Sequence, residues 1–169
     1  MEKVWLKSYP EGVPEKIDIG DSDTLVTLME SAFDKFAGRP AFACMGKTIT
    51  FGELDTLSRA FGAWLQGQGL QPGTRIAIML PNVLQYPIVM CGALRAGLVV
   101  VNVNPLYTAR ELKHQLTDSG AEAMVVLSNF ANVLEKVIAE TQVKTVVSPI
   151  LATPWDFPNH CWSTQLCDG

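Results

Sequence analysis

The chain has 169 residues, 48% of them apolar and 18% charged, with a formal net charge of -4. That length holds one ordinary domain with its own core, and the composition excludes a disordered or fibrous chain. No basic cluster offsets the acidic balance, which argues against nucleic acid as a partner.

The opening MEKVWLKSYP lacks the apolar core of a secretory signal. The most apolar region, Ile76 to Val103, is broken by Pro81, Asn82, Gln85, Arg95 and Asn102, so no run reaches the roughly 18 apolar residues of a membrane span. The sequence therefore reads as cytoplasmic. Its cysteines are Cys44, Cys91, Cys161 and Cys167. Without a secretion signal they imply no disulfide framework, and Cys91, in an apolar helix, reads as a small apolar group.

In chain order, Met1 to Asp23 supply Trp5, Leu6 and Tyr9 as anchors of an extended arm lying on the domain. Leu25, Leu28, Met29, Ala32, Phe33 and Phe36 follow at helical spacing as one apolar stripe, capped by Asp23 or Thr24 and stopped by Gly38 and Pro40. Pro40 to Cys44 and Thr48 to Thr50 are two short strands about a Met45-Gly46-Lys47 turn. Thr50-Phe51-Gly52-Glu53 is a capping box, in which each side chain satisfies a backbone donor at a helix start. It opens a helix with Leu54, Leu57, Phe61, Trp64 and Leu65 on its apolar face and Asp55, Arg59 and Gln66 on its polar face.

The centre of the chain is Arg75 to Leu116. Ile76–Leu80 and Leu98–Val103 are short, nearly uniform and β-branched, the pattern of strands buried on both faces. Pro81-Asn82 starts the helix between them, and Gly97 ends it where a left-handed residue is needed. Thr108-x-x-Glu111 is a second capping box. Ser119-Gly120 ends that helix, Ala123 to Leu127 is a third buried strand, Phe130 to Ile138 an amphipathic helix, and Val143 to Val147 a fourth strand. Strand alternating with helix predicts an α/β fold with a mostly parallel sheet and flanking helices, joined by right-handed crossovers. Residues 1–147 make that domain. From Ser148 the pattern stops. Residues 148–169 hold three prolines, two tryptophans and no lysine or arginine, and lack periodicity, so they are expected to be a disordered or out-of-frame tail.

Few residues invite a chemical role. Both capping boxes, Thr50/Glu53 and Thr108/Glu111, are explained by helix capping. Tyr107, Thr108 and Arg110 follow a buried strand, at the end of an open α/β sheet where ligands bind; a turn and helix start with a solvated Arg110 is the favoured reading. His114 has no second His or Cys at ligand spacing and reads as a surface residue. His160, Cys161 and Cys167, with Asp156 or Asp168, fit no zinc spacing. Arg95, inside an apolar helix, either pairs with an acidic residue or snorkels to the surface.

Three stretches carry a family resemblance. Ile49-Thr50-Phe51-Gly52-Glu53-Leu54 resembles the motif that opens the adenylate-forming superfamily. Leu70 to Arg75 with Ile76 to Asn82 resembles its G-D-R-V-A-I-x-x-P-N segment, with Thr74 replacing the usual acid. Leu94 to Gly97 through Val101 to Pro105 resembles its L-x-A-G-x-x-x-V-P core. Within that superfamily, Leu84-Gln85-Tyr86-Pro87, Val101 to Leu112, Asp118 to Ala121, Lys3 to Leu6 and Tyr9-Pro10 are similar to bacterial long-chain fatty acid–CoA ligases. The resemblance covers Met1 to Val147.

It implies the N-terminal subdomain, incomplete, of an enzyme that uses ATP, magnesium and coenzyme A to turn a fatty acid into an acyl-adenylate and then an acyl-CoA. In that family the phosphate loop, the nucleotide and magnesium residues and a catalytic lysine follow the region seen here. The chain has no G-x-x-x-x-G-K-[ST] loop and no G-x-G-x-x-G fingerprint. The expectation is a truncated or frame-shifted product, inactive alone, with no catalytic, cofactor-binding or metal residue of its own. Fatty acid, ATP and CoA are then partners of the full-length family only, and the resemblance leaves room for self-association and for peripheral association at the inner face of the membrane. Two rival readings are a non-catalytic module that pairs with a full-length ligase through an unpaired sheet edge, and an independent nucleotide-binding domain, which the missing phosphate loop opposes.

Overall fold

A computed structural model describes residues 2–20, 24–149 and, as backbone, 164–166. The elements are α1 (Leu25–Phe36), β1 (Pro40–Cys44), β2 (Lys47–Thr50), α2 (Phe51–Gly67), β3 (Arg75–Met79), α3 (Gln85–Arg95), β4 (Val99–Asn102), α4 (Ala109–Ser119), β5 (Ala123–Val126), α5 (Ala131–Glu135), β6 (Thr145–Val147) and β7 (Thr164–Leu166). Short 3-10 turns at Val4–Ser8, Ser128–Phe130 and Ile138–Glu140 join them.

The main sheet runs β4-β3-β5-β6-β7. The first four strands are parallel, with Ile76 beside Val100 on one side and Ala123 on the other. Strand residues alternate between two cores, as a period of two requires. Ile76, Ile78, Val125 and Leu127 join Phe61 and Leu65 of α2 and Val89 and Ala93 of α3. Ala77, Met79, Met124 and Val126 join Leu112 and Leu116 of α4 and Leu134 of α5. A third cluster, of Phe33, Ile49, Leu54 and Ile88, seats α1 and the β1–β2 hairpin against α2 and α3. The expected α/β architecture with a parallel sheet and flanking helices is the one observed.

Several expectations are corrected. Leu98–Val103 is not buried on both faces: β4 is the outer edge of the sheet, and Val99 is 47% exposed. A β-branched run identifies a strand, but its place in the sheet depends on partners far along the chain. The sheet edge expected to lie unpaired after the fourth strand is instead covered, because β7 pairs antiparallel with β6. Trp5 and Tyr9 do not anchor the arm, being 51% and 42% exposed. The arm turns on itself through Tyr9 N–H to Leu6 C=O and carries a Lys3–Glu15 ion pair. The stripe of α1 divides: Met29 and Phe33 face the core, whereas Leu25 and Leu28 are 64% and 67% exposed. The helix expected over Phe130 to Ile138 is a short α5 between two 3-10 turns. Val133, Val137 and Ile138 are poor helix formers, no side chain caps its start, and the chain tightens through Val137 N–H to Leu134 C=O.

Helix α3 begins at Gln85 rather than at Pro81-Asn82, and no side chain caps its start at Leu84. It ends as expected, with Gly97 at φ 76°. The candidate metal group His160, Cys161, Cys167, Asp156 and Asp168 lies outside the described residues, as does most of the stretch after Pro149.

Candidate functional site

The strand order fixes where a ligand would meet this sheet. After β3 the chain passes to the face of α2 and α3, and after β5 to the face of α4 and α5. Two neighbouring parallel strands whose connections leave in opposite directions open a crevice at their carboxyl ends, the usual ligand position of such sheets. The register Met79 beside Val126 sets Leu80-Pro81-Asn82 next to Leu127-Ser128-Asn129. Asn82, Ser128 and Asn129 are exposed there, above buried Leu80 and Leu127. Ser128 N–H donates to Pro149 C=O at 3.3 Å, which ties the crevice to the chain beyond β6. Asn82 was read in the sequence only as part of a helix start and of the P-N segment, and Ser128 and Asn129 were not singled out. The signal was turn residues following each buried run, Pro81-Asn82 and Ser128-Asn129, but their adjacency depends on strand order.

The residues after β4 lie at the same end of the sheet. Thr108 N–H and hydroxyl donate to Glu111 Oε2 at 2.8 and 2.7 Å, and Glu111 N–H donates to Thr108 Oγ1 at 3.4 Å. The Thr108 backbone N–H first, then its hydroxyl, holds the Glu111 carboxyl below the ordinary carboxylate range. This is a helix cap, as expected, and so is the Thr50/Glu53 pair. An open groove of about 810 Å³ runs along α4 past Tyr107, Arg110, His114 and Asp118. Arg110 and His114 are exposed and Tyr107 is half-buried against the α4 core. Between β4 and its neighbouring helices, Tyr86 Oη donates to Asn102 Oδ1 at 2.8 Å and Gln115 Nε2 donates to Asn102 C=O at 2.8 Å. Gln115 thereby covers one acceptor of the open β4 edge.

Arg95 resolves in favour of pairing. Its side chain is 8% exposed, and its guanidinium forms an ion pair with the Asp55 carboxylate. It also donates to Asp55 C=O at 2.9 Å and Ser58 Oγ at 2.6 Å. The cation lies 5.0 Å from the centre of the Phe33 ring. Burial acts to raise the Asp55 carboxyl, but hydrogen bonds from Arg95 and Arg59 outweigh it, so the group sits below its ordinary 3.8. Arg95 thus ties α3 to α2 and to α1, and is structural. Cys91, one turn earlier, is buried, and burial pushes its thiol up to about 11.

No group of three or more His, Cys, Asp or Glu side chains converges among the described residues. Nor does any helix among them have the length and apolar character to cross a membrane. The polar crevice can orient a ligand by hydrogen bonds, but it presents no nucleophile paired with a base.

Comparison with known proteins gives the fold a family. The AMP-binding enzyme family matches residues 29–165. The chain is 57% identical over 148 residues to a long-chain-fatty-acid–CoA ligase of Yersinia pestis, and 53% identical over 148 residues to one of Escherichia coli O157:H7. In both cases the match covers 87% of this chain and 26% of the relative. The chain therefore spans about a quarter of the length of the curated relatives it matches. A crystal structure of a long-chain-fatty-acid–CoA ligase from Archaeoglobus fulgidus superposes with a TM-score of 0.67 at 22% identity, covering 78% of this chain and 28% of that one. With four-fifths of its length inside the family match and the same parallel-sheet fold, this chain belongs to the AMP-binding enzyme family.

Proposed function

We propose that this chain is the parallel-sheet part of a long-chain fatty acid–CoA ligase, an enzyme that activates a fatty acid with ATP and passes the acyl group to coenzyme A. The observation that carries the reading is the 57% identity over 148 residues to a ligase of that specificity. The role of these residues is to build the sheet and the carboxyl-end crevice on which the reaction site is assembled. On their own they are expected to make neither the acyl-adenylate nor the thioester, because their sequence supplies no phosphate-cradling loop. ATP, magnesium and coenzyme A belong to the complete enzyme. Replacing the matched 148 residues of the Yersinia pestis ligase with this chain's own tests the reading. The chimera is expected to retain acyl-CoA synthesis from a long-chain fatty acid. A folded chimera without it contradicts the assignment.

A second reading is a non-catalytic module that associates with a complete ligase. It no longer rests on an edge beside β6. Its support is exposed apolar surface on the arm and α1, where Ile17, Leu25 and Leu28 are 82%, 64% and 67% exposed. Co-purification with a full-length ligase is the expected result, and separate elution of the two counts against it.

A further inference from the structure

Strand β4 is an outer edge of the main sheet, and its outward backbone is open in a self-complementary pattern. Val99 N–H donates to Thr74 C=O at 2.9 Å and Val103 N–H to Ile78 C=O at 3.0 Å, so the odd-numbered residues of β4 face β3. Val100 and Asn102 therefore aim their backbone groups away from the sheet, and so does the Leu98 carbonyl. Two groups along this edge are closed within the chain. Leu98 N–H donates to Ala93 C=O at 3.0 Å, and Asn102 C=O accepts from Gln115 Nε2 at 2.8 Å. Among the described residues, none bonds to Val100 N–H, Val100 C=O, Asn102 N–H or Leu98 C=O. The run Leu98 to Val103 also carries no charge and no proline, the usual guards of an exposed edge.

We propose that β4 pairs antiparallel with β4 of a second copy of this chain, about a two-fold axis at Val100. In that register Val100 exchanges both backbone bonds with its own copy, and Asn102 N–H meets the Leu98 carbonyl of the other chain on each side of the axis. The register would also set Leu98 N–H opposite Asn102 C=O. These are the two groups already closed inside the chain, so pairing strands neither of them. The side chains beside the edge agree. Arg110, His114, Gln115 and Asp118 form one stripe of α4 at helical spacing, and Gln115 fixes that stripe beside the edge. Helix α4 runs back against β4, so Arg110 stands near the carboxyl end of the edge and Asp118 near its amino end. The two-fold axis brings Arg110 of each copy to Asp118 of the other. Both are exposed, and neither enters an ion pair among the described residues. The open groove of about 810 Å³ along the stripe is the space that the second α4 enters. Because the contact is isologous, it uses up the β4 edge of both copies and closes at a dimer. It depends on the fold alone and not on the ligase reading.

The purified full chain is followed by sedimentation velocity over a concentration series, with backbone amide exchange read by NMR at the two ends of the series. A monomer at low concentration and a dimer at high concentration are expected. The Val100 and Asn102 amides should exchange more slowly in the dimer, while Val101, whose N–H faces β3, should not change. Val100→Pro removes the donor on the axis without touching a bond to β3, and should leave a folded monomer. Arg110→Asp turns both ion pairs into repulsions and should raise the dimer dissociation constant about tenfold, and adding Asp118→Arg should restore it. A monomer at every concentration overturns the proposal. So does a dimer whose Val100 and Asn102 amides are not slowed, which would place the contact elsewhere, as on exposed Leu25 and Leu28 of α1. Assembly that continues past the dimer also overturns it, because an open series needs β4 to meet a different surface. If Val100→Pro fails to fold, the charge reversal decides. No weakening in Arg110→Asp, or weakening that Asp118→Arg does not reverse, contradicts the two-fold contact.

Discussion

Arg95 shows at the scale of one residue how a charge is kept inside this fold. Its guanidinium satisfies Asp55 and Ser58 on α2 and lies over Phe33 on α1. Removing Arg95 strips Asp55 of its buried partner and leaves it Arg59 alone, which costs about 1–3 kcal/mol. Arg95→Ala is therefore expected to lower the unfolding free energy from urea titration by that amount, whereas Arg95→Met combined with Asp55→Leu loses less; equal losses would contradict a paired charge. The Asp55 carboxyl titrates below 3.8 in the folded chain, so its stabilising contribution is complete above that value and disappears as pH falls through the lower folded value. Asp55→Asn should flatten the acid limb of stability below about pH 4, read by urea titration over a pH series. At Cys91 the thiolate is scarce at neutral pH, since burial pushes its pKa to about 11. Iodoacetamide at mildly alkaline pH should modify Cys44 well before Cys91, and comparable rates would show that the α1–α3 contact opens.

Between elements, α2 and α3 cross in close contact at Gly62 and Gly92. A Cβ on Gly92 would stand 2.8 Å from Ser58 O and from Phe61 Cδ1, and 3.1 Å from Gly62 N. Backbone cannot yield as a flexible side chain does, so Gly92→Ala should cost about 1–3 kcal/mol by overpacking. A thermal melt unchanged from the parent would show that the helices sit farther apart. Loss of the α4 cap in Thr108→Ala should cost about 1 kcal/mol, read the same way. Such caps were legible in the sequence because a capping box is local: Thr50/Glu53 and Thr108/Glu111 need only four consecutive residues. The strands were legible for a similar reason, each being a short apolar run between turn residues. The Gly62–Gly92 contact was not, since nothing in either helix announces which face meets the other. Leu25 and Leu28 mislead for the same reason. Their spacing with Phe33 makes one stripe, but the helix packs only along part of it.

Across the whole molecule, what the sequence withheld was mostly order. The run Val99–Asn102 is as apolar as Arg75–Met79, yet one is the sheet edge and the other its centre, because the chain returns past β3 to place β5 on its far side. That return creates the crevice by setting Asn82 beside Ser128 and Asn129, an adjacency that no local motif marks. The family, by contrast, was readable from motifs, since these keep their order and spacing along the chain, and it is the family that the fold and the relatives bear out. These residues are proposed to build the scaffold of the reaction site without completing it. The direct test is ATP–pyrophosphate exchange by the purified chain with a long-chain fatty acid, on a sample whose circular dichroism reports a folded α/β protein. No exchange above a blank lacking fatty acid is expected. Exchange above that blank would mean that this chain alone assembles an adenylation site, and would contradict it.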